Sequence, residues 1–240
     1  MKLLITAAVI PSLIYVLAAV LPAIVLMIYV YRHDRVEREP VRLLLSLLSQ
    51  GVNAALLSIV LGTVVRRILG LVVPDGTRLY TVLYAFLAVA AVEEGAKFYF
   101  LKKRTWRDPN FNYRFDAVVY AVFVSLGFAA YENILYVFNY GLSVVLPRAL
   151  LSVPGHMAFS VYMGIYYGRA KMQDHYGLES AAESSCQQAY LWAVLLHGFY
   201  DACLMIGTGG TTVVFLIFVA ITYTRMFRRL RREAAQDTLV

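Results

Sequence analysis

From Leu3 to Tyr31 the chain runs 29 residues without a single charged side chain. At ~1.5 Å per residue, a helix of that length outreaches the ~30 Å hydrocarbon core of a bilayer. Pro11 and Pro22 are expected to kink or tilt it. A cleaved signal peptide would carry a shorter apolar stretch of ~7–15 residues, so the segment reads as a membrane span. Six further apolar stretches follow: 43–65, 79–101, 117–139, 147–168, 187–206 and 211–227, the last one short. Gly207-Thr-Gly-Gly210 reads as the tight turn before it. The fold expected is all-α, a polytopic transmembrane helix bundle of about seven spans.

Composition agrees. Of 240 residues, 60% are hydrophobic and 15% charged, and mean hydropathy is +0.66. A soluble domain is nearer a quarter charged. A disordered chain or a soluble globular enzyme is therefore disfavoured. The whole chain is read as one integral-membrane domain, 1–240. Its core is about 79–206, its flanking spans lie in 1–65 and 211–227, and 228–240 form a basic cytoplasmic tail. Cys186 and Cys203 fit neither a disulfide framework nor a metal-binding cysteine spacing.

The net charge of +7 is distributed unevenly. With seven spans, Lys2, Arg66, Arg67, Arg78 and Arg148 fall on one side of the membrane. Sixteen basic residues fall on the other, in segments 32–42, 102–114, 169–171 and 225–232. Basic loops stay cytoplasmic, which predicts the N-terminus outside and the C-terminus in the cytoplasm. The run Arg225–Arg232 reads as a topology anchor that also attracts anionic lipid, not as a nucleic-acid site. The mixed-charge stretch 169–190 is expected to extend helices five and six beyond the membrane. His33 and His175 read as solvent-facing loop residues.

Spans three to six carry what an apolar interior does not tolerate idly: Glu93, Glu94, Lys97, Glu132, His156, His197 and Asp201. Each charge at mid-bilayer costs ~2.5–3.5 kcal/mol even on insertion scales. Four unpaired carboxylates would cost on the order of 10 kcal/mol on that scale, comparable with a domain's stability. The set must be paired, hydrated or bound to something. Rise per residue places Glu93, Glu132, His156 and His197 at similar depths, so they can share one cavity. Glu93 and Lys97, and His197 and Asp201, stand at i, i+4 and can pair. Such a cavity could supply a general base from the paired glutamates. It could also hold a metal, since Glu132, His156 and His197 form a His₂Glu set like that of catalytic zinc sites. Protonated carboxyls would balance the charge as well as a cation would. Sequence motifs for a serine nucleophile or a phosphate-binding loop are absent.

Four motifs in this order resemble the PrsW family of intramembrane proteases, within the wider CAAX-protease and bacteriocin-processing superfamily. They are Glu93-Glu94-Gly-Ala-Lys97, Phe128-Ala-Ala-Tyr-Glu132-Asn133, Pro154-Gly-His156 and His197-Gly-Phe-Tyr-Asp201. The resemblance implies peptide-bond hydrolysis in the membrane and, for this family, cleavage of membrane-spanning anti-sigma factors in a regulated cascade. Carried onto this chain, it implies that Glu93 activates water while Glu94 and Lys97 position it. His197 would bind metal or stabilise the oxyanion, with Asp201 orienting it. Catalytic roles thus fall to Glu93, Glu94, Glu132, His156 and His197, with Lys97, Asn133 and Asp201 in support. CAAX-processing relatives carry histidine where this chain has Glu132, so their mechanism does not transfer directly. Zn²⁺ on Glu132, His156 and His197 and a metal-free glutamate mechanism both stand. The partners implied are a membrane-protein substrate and the lipid bilayer, in a prokaryotic plasma membrane; the oligomeric state is open. Outside proteolysis, buried Glu, Asp and His also suit a proton-coupled transporter, or a non-catalytic scaffold that has kept its polar residues.

Overall fold

The computed structural model describes residues 2–240, with side chains from Ser12 onward; Lys2 and Pro11 lie outside the described side chains. Among the described residues, seven helices are long and apolar enough to cross a membrane. They are α1 (Lys2–His33), α2 (Val41–Val72), α3 (Arg78–Thr105), α4 (Asp116–Tyr140), α5 (Leu142–His175), α6 (Glu179–Ile206) and α7 (Gly209–Ala235). Helix α1 runs on through Pro22. Most helices exceed the expected spans. α5 and α6 project past the apolar region, as the mixed-charge loop foretold, and are joined only through Tyr176–Leu178. The turn before α7 is tighter than expected. Gly207, at φ 62°, ends α6, and Thr208 caps α7, so Gly209 and Gly210 are already helical.

Helix α4 is the centre of the bundle. Its sequence from Ala117 to Ala129 is apolar nearly all round, and every residue there is buried. That is the signature of a helix enclosed by others. It packs on α1, α2, α3 and α5. Small residues make the crossings close. A Cβ on Gly51 of α2 would overlap the Val124 carbonyl, and one on Gly164 of α5 would overlap the Val118 backbone. Within a membrane, such close approach is what holds helices together, because lipid is as apolar as the core. By contrast α2 presents Leu45, Leu56, Ile59, Val60 and Val64 outward.

Two helices contain π-helical turns. Tyr84–Ala90 of α3 precedes the glutamate pair, and Arg148–Ser152 of α5 precedes His156. Such turns change the angular phase of everything downstream and recur at functional sites. Tyr223 of α7 donates a hydrogen bond to the Leu151 carbonyl, bracing the second one. At the loop end of α4, the C-terminal residues close on the 110–115 loop. Arg114 N donates to Thr238 O, Val240 N to Asn112 O, and Phe115 N to Asp237 Oδ1, at 2.8–2.9 Å. The tail is therefore docked, not merely a basic extension.

Candidate active site

The glutamate pair follows the π turn of α3 directly, and its two members face different ways. Glu94 is fully buried. Its Oε1 accepts from Lys97 Nζ at 2.8 Å and faces His197 Nδ1 at 2.8 Å. Glu93 is the one that lines the cavities. Its Oε2 lies 3.7 Å from Lys97 Nζ and makes no hydrogen bond within the protein. The expected i, i+4 pair thus exists, but the tighter pair is i, i+3.

Lys97 is the hub. It is almost wholly buried, touches Glu94 and His156, and lies 4.0 Å from the centroid of the Phe128 ring. An ammonium can only donate, so His156 Nδ1, at 3.2 Å, accepts from it. His156 Nε2 is then the protonated nitrogen and donates to Glu132 Oε2 at 3.0 Å. His197 is held from both sides, by Glu94 on Nδ1 and by Asp201 Oδ2 at 3.4 Å on Nε2. Its ring stacks on Phe159 and meets the His156 ring edge-on. All seven ionisable residues singled out in the sequence therefore gather in one network. His33 and His175 stand apart from it, but both end helices instead of lying in loops. His175 is exposed as expected, whereas His33 is half-buried and bonded to the Tyr29 carbonyl.

One participant was not foreseen. Arg148 looked like a loop residue marking the outer face. Instead it donates from Nη2 to Glu132 Oε2 at 2.7 Å and from Nε to Asn133 Oδ1 at 2.5 Å. Its guanidinium lies 3.8 Å from the centroid of the Tyr136 ring. Asn133 in turn donates to the Ala19 carbonyl of α1. Arg148 is thus a second cation, besides Lys97, among the four carboxylates. At about 100° per residue, the eight steps to His156 would leave the two about 80° apart. The wider π turn between them turns less per residue and brings both to one wall.

The walls enclose a cavity of about 560 Å³, bounded by Glu93, Glu132, Arg148, His156, His197 and Asp201 among others. As a metal site, the His₂Glu set depends on where its donor atoms point. His156 points its nitrogens at Lys97 and Glu132, and His197 at Glu94 and Asp201. Neither ring turns a nitrogen towards a common point, and a buried ammonium sits among the donors. Among the described residues, no three His, Cys, Asp or Glu side chains are grouped to hold a metal ion. As placed, the set does not fit one.

A seven-span bundle with an acid–base cluster walled into its interior defines a multi-pass membrane protein with a hydrolase-type site. Comparison with known proteins makes the class specific. Residues 39–225 match the family described as PrsW family intramembrane metalloprotease. "Protease PrsW" of Clostridioides difficile is 29% identical over 211 residues, 86% of either chain. That of Geobacillus kaustophilus is 34% identical over 193 residues, 78% of either chain. That of Bacillus subtilis is 30% identical over 187 residues, 78% of this chain and 81% of its own. No solved structure matches. The chain belongs to the PrsW family of intramembrane proteases, and is a peptidase of the membrane.

Proposed function

We propose that the chain hydrolyses peptide bonds of single-pass or membrane-embedded proteins with a water activated by Glu93. The observation that carries this is the asymmetry of the glutamate pair. Glu94 is fully buried and bonded to Lys97 and His197, while Glu93, more loosely paired with Lys97, lines the cavity. Glu93 takes a proton from water as the oxygen attacks the scissile carbonyl carbon. His156 and His197, whose ring nitrogens are held by Lys97, Glu132, Glu94 and Asp201 in the resting site, stabilise the oxyanion once the substrate displaces one of those carboxylates. Glu93 then returns the proton to the leaving amine as the C–N bond breaks. Lys97 and Arg148 hold the surrounding carboxylates in place.

The substrate fitting this reading is a membrane-anchored regulatory protein of the anti-sigma-factor kind, in a prokaryotic plasma membrane. The sixteen-to-five bias of basic residues supports an N-terminus outside and a C-terminus in the cytoplasm. The family's metalloprotease description favours a second reading, Zn²⁺ on Glu132, His156 and His197. That set would have to rearrange, and no step above passes through it. Metal analysis of the active purified enzyme separates the two. Stoichiometric zinc, lost in Glu132→Gln and His156→Ala, establishes the second reading; activity without zinc establishes the first. Solute or proton flux in liposomes without proteolysis would overturn both.

A further inference from the structure

A second cavity, of about 300 Å³, adjoins the first and shares Glu93 and Glu132 with it. Its floor is made of small residues, Ala55, Ser58 and Gly62 of α2 and Ala88 of α3. Its far wall is aromatic, Phe128 and Tyr131 of α4. The mouth is flanked by Ile59 and Leu135, which are 50% and 37% exposed on the apolar outside of the bundle. A Cβ on Gly62 would stand 3.0 Å from the Ala88 carbonyl, so the α2–α3 crossing closes the floor. The cavity thus opens sideways towards lipid and ends at the two carboxylates.

Resting on the proteolytic reading above, we propose that this cavity is the substrate subsite for a large apolar side chain next to the scissile bond. Three features argue for that occupant. The cavity is continuous with the site at Glu93, so whatever fills it is held beside the attacking water. Its lining is mostly apolar and aromatic, with Ser58, Thr63 and Arg66 as the polar members besides those carboxylates, the usual character of a selective pocket. Its size suits one or two side chains, at the lower end of ~300–1,000 Å³ ligand sites. An extended substrate entering from the bilayer would place one flank here and the other in the larger cavity under Arg148. Small residues on α2, otherwise unexplained in the most lipid-exposed span, then set how large a side chain is accepted.

The test uses full-length enzyme in liposomes with a single-pass substrate carrying Ala, Leu or Phe at each position flanking the cleaved bond. At one flanking position, wild type should prefer Leu or Phe to Ala by about tenfold or more, the usual discrimination of an apolar pocket. Filling the floor with Ser58→Leu should lower that ratio about tenfold. A ratio unchanged by Ser58→Leu, or an equal fall for every substrate, overturns the subsite while leaving proteolysis intact. Absence of cleavage by wild type overturns the proteolytic reading itself, and the subsite with it. Should Ser58→Leu fail to fold, a photo-crosslinker on Thr63→Cys in the Glu93→Gln enzyme reads the same question. Thr63 lines this cavity and is exposed. Adducts within a few residues of the cleaved bond support the subsite; adducts to lipid alone overturn it.

Discussion

The molecule buries carboxylates in two places and treats them oppositely. In the cavity, Glu93, Glu94, Glu132 and Asp201 each face a cation or an imidazole: Lys97, Arg148 or His197. At the loop end of the bundle, Asp34, Glu39 and Asp116 are also buried, yet none forms an ion pair among the described residues. Asp34 and Asp116 accept backbone N–H groups instead. Glu39 N reaches Asp34 Oδ2, and Asn112 N and Tyr113 N reach Asp116 Oδ2. Each keeps one oxygen unbonded. Burial pushes Asp34 up to about 6, with the charges of Asp237 and Glu37 adding to it and Arg38 opposing. Burial likewise raises Glu39, which faces Tyr120, Asp116, Asp34 and Glu37. The lesson is that a site meant to do chemistry in an apolar interior pairs its carboxylates with built-in cations and imidazoles. A structural cluster near water can balance itself with protons.

Removing the hub should break the contrast most severely. Lys97→Met leaves buried glutamates without their cation, a loss of about 3–5 kcal/mol for a broken buried pair. Thermal unfolding in detergent should show a sharply lowered Tm, and activity should vanish with it. If the variant is as stable as wild type, the cavity carboxylates are not held by Lys97. Arg148→Ala tests the unforeseen partner at a smaller cost, since the residue sits at the cavity rim. It should lower kcat about 10–100-fold, typical of a lost supporting partner, with Tm little changed. Arg148→Lys should recover only part, because a single ammonium cannot bridge Glu132 and Asn133 as the guanidinium fork does. Equal activity in all three would confine Arg148 to packing.

The smallest effect belongs to the acid cluster. Asp34 has a folded value above its ordinary 3.8, so its contribution is full below about pH 3.8 and is lost as pH rises through about 6. Asp34→Asn should therefore raise Tm by about 2–4 °C at pH 8 and by less at pH 5. Proteolysis should be unaffected, because the cluster touches no cavity residue described above. A Tm gain that is the same at both pH values would contradict the titration argument.

Much of this was legible in the chain. Long apolar stretches admit few readings, so seven spans follow from length and polarity even where a few charges interrupt them. Likewise, ionisable residues in apolar helices had to meet, and Glu93, Glu132, His156 and His197 do. Two things were not legible. The π turns at Tyr84–Ala90 and Arg148–Ser152 leave no mark in apolar periodicity, yet they decide that Arg148 faces Glu132. The fine pairing also escaped. Helical spacing suggested that Lys97 serves Glu93, whereas i, i+3 contact and burial give it to Glu94, freeing Glu93 for the cavity.

The central claim is that Glu93, the member of the glutamate pair that lines the cavity, activates the water. Its most direct test is the rate at which purified enzyme in liposomes cleaves a single-pass membrane substrate, wild type against Glu93→Gln. Losing a general base typically costs about 10²–10⁴-fold, and the account predicts a fall in kcat of that size with Tm within a few degrees of wild type. Full activity in Glu93→Gln would contradict it.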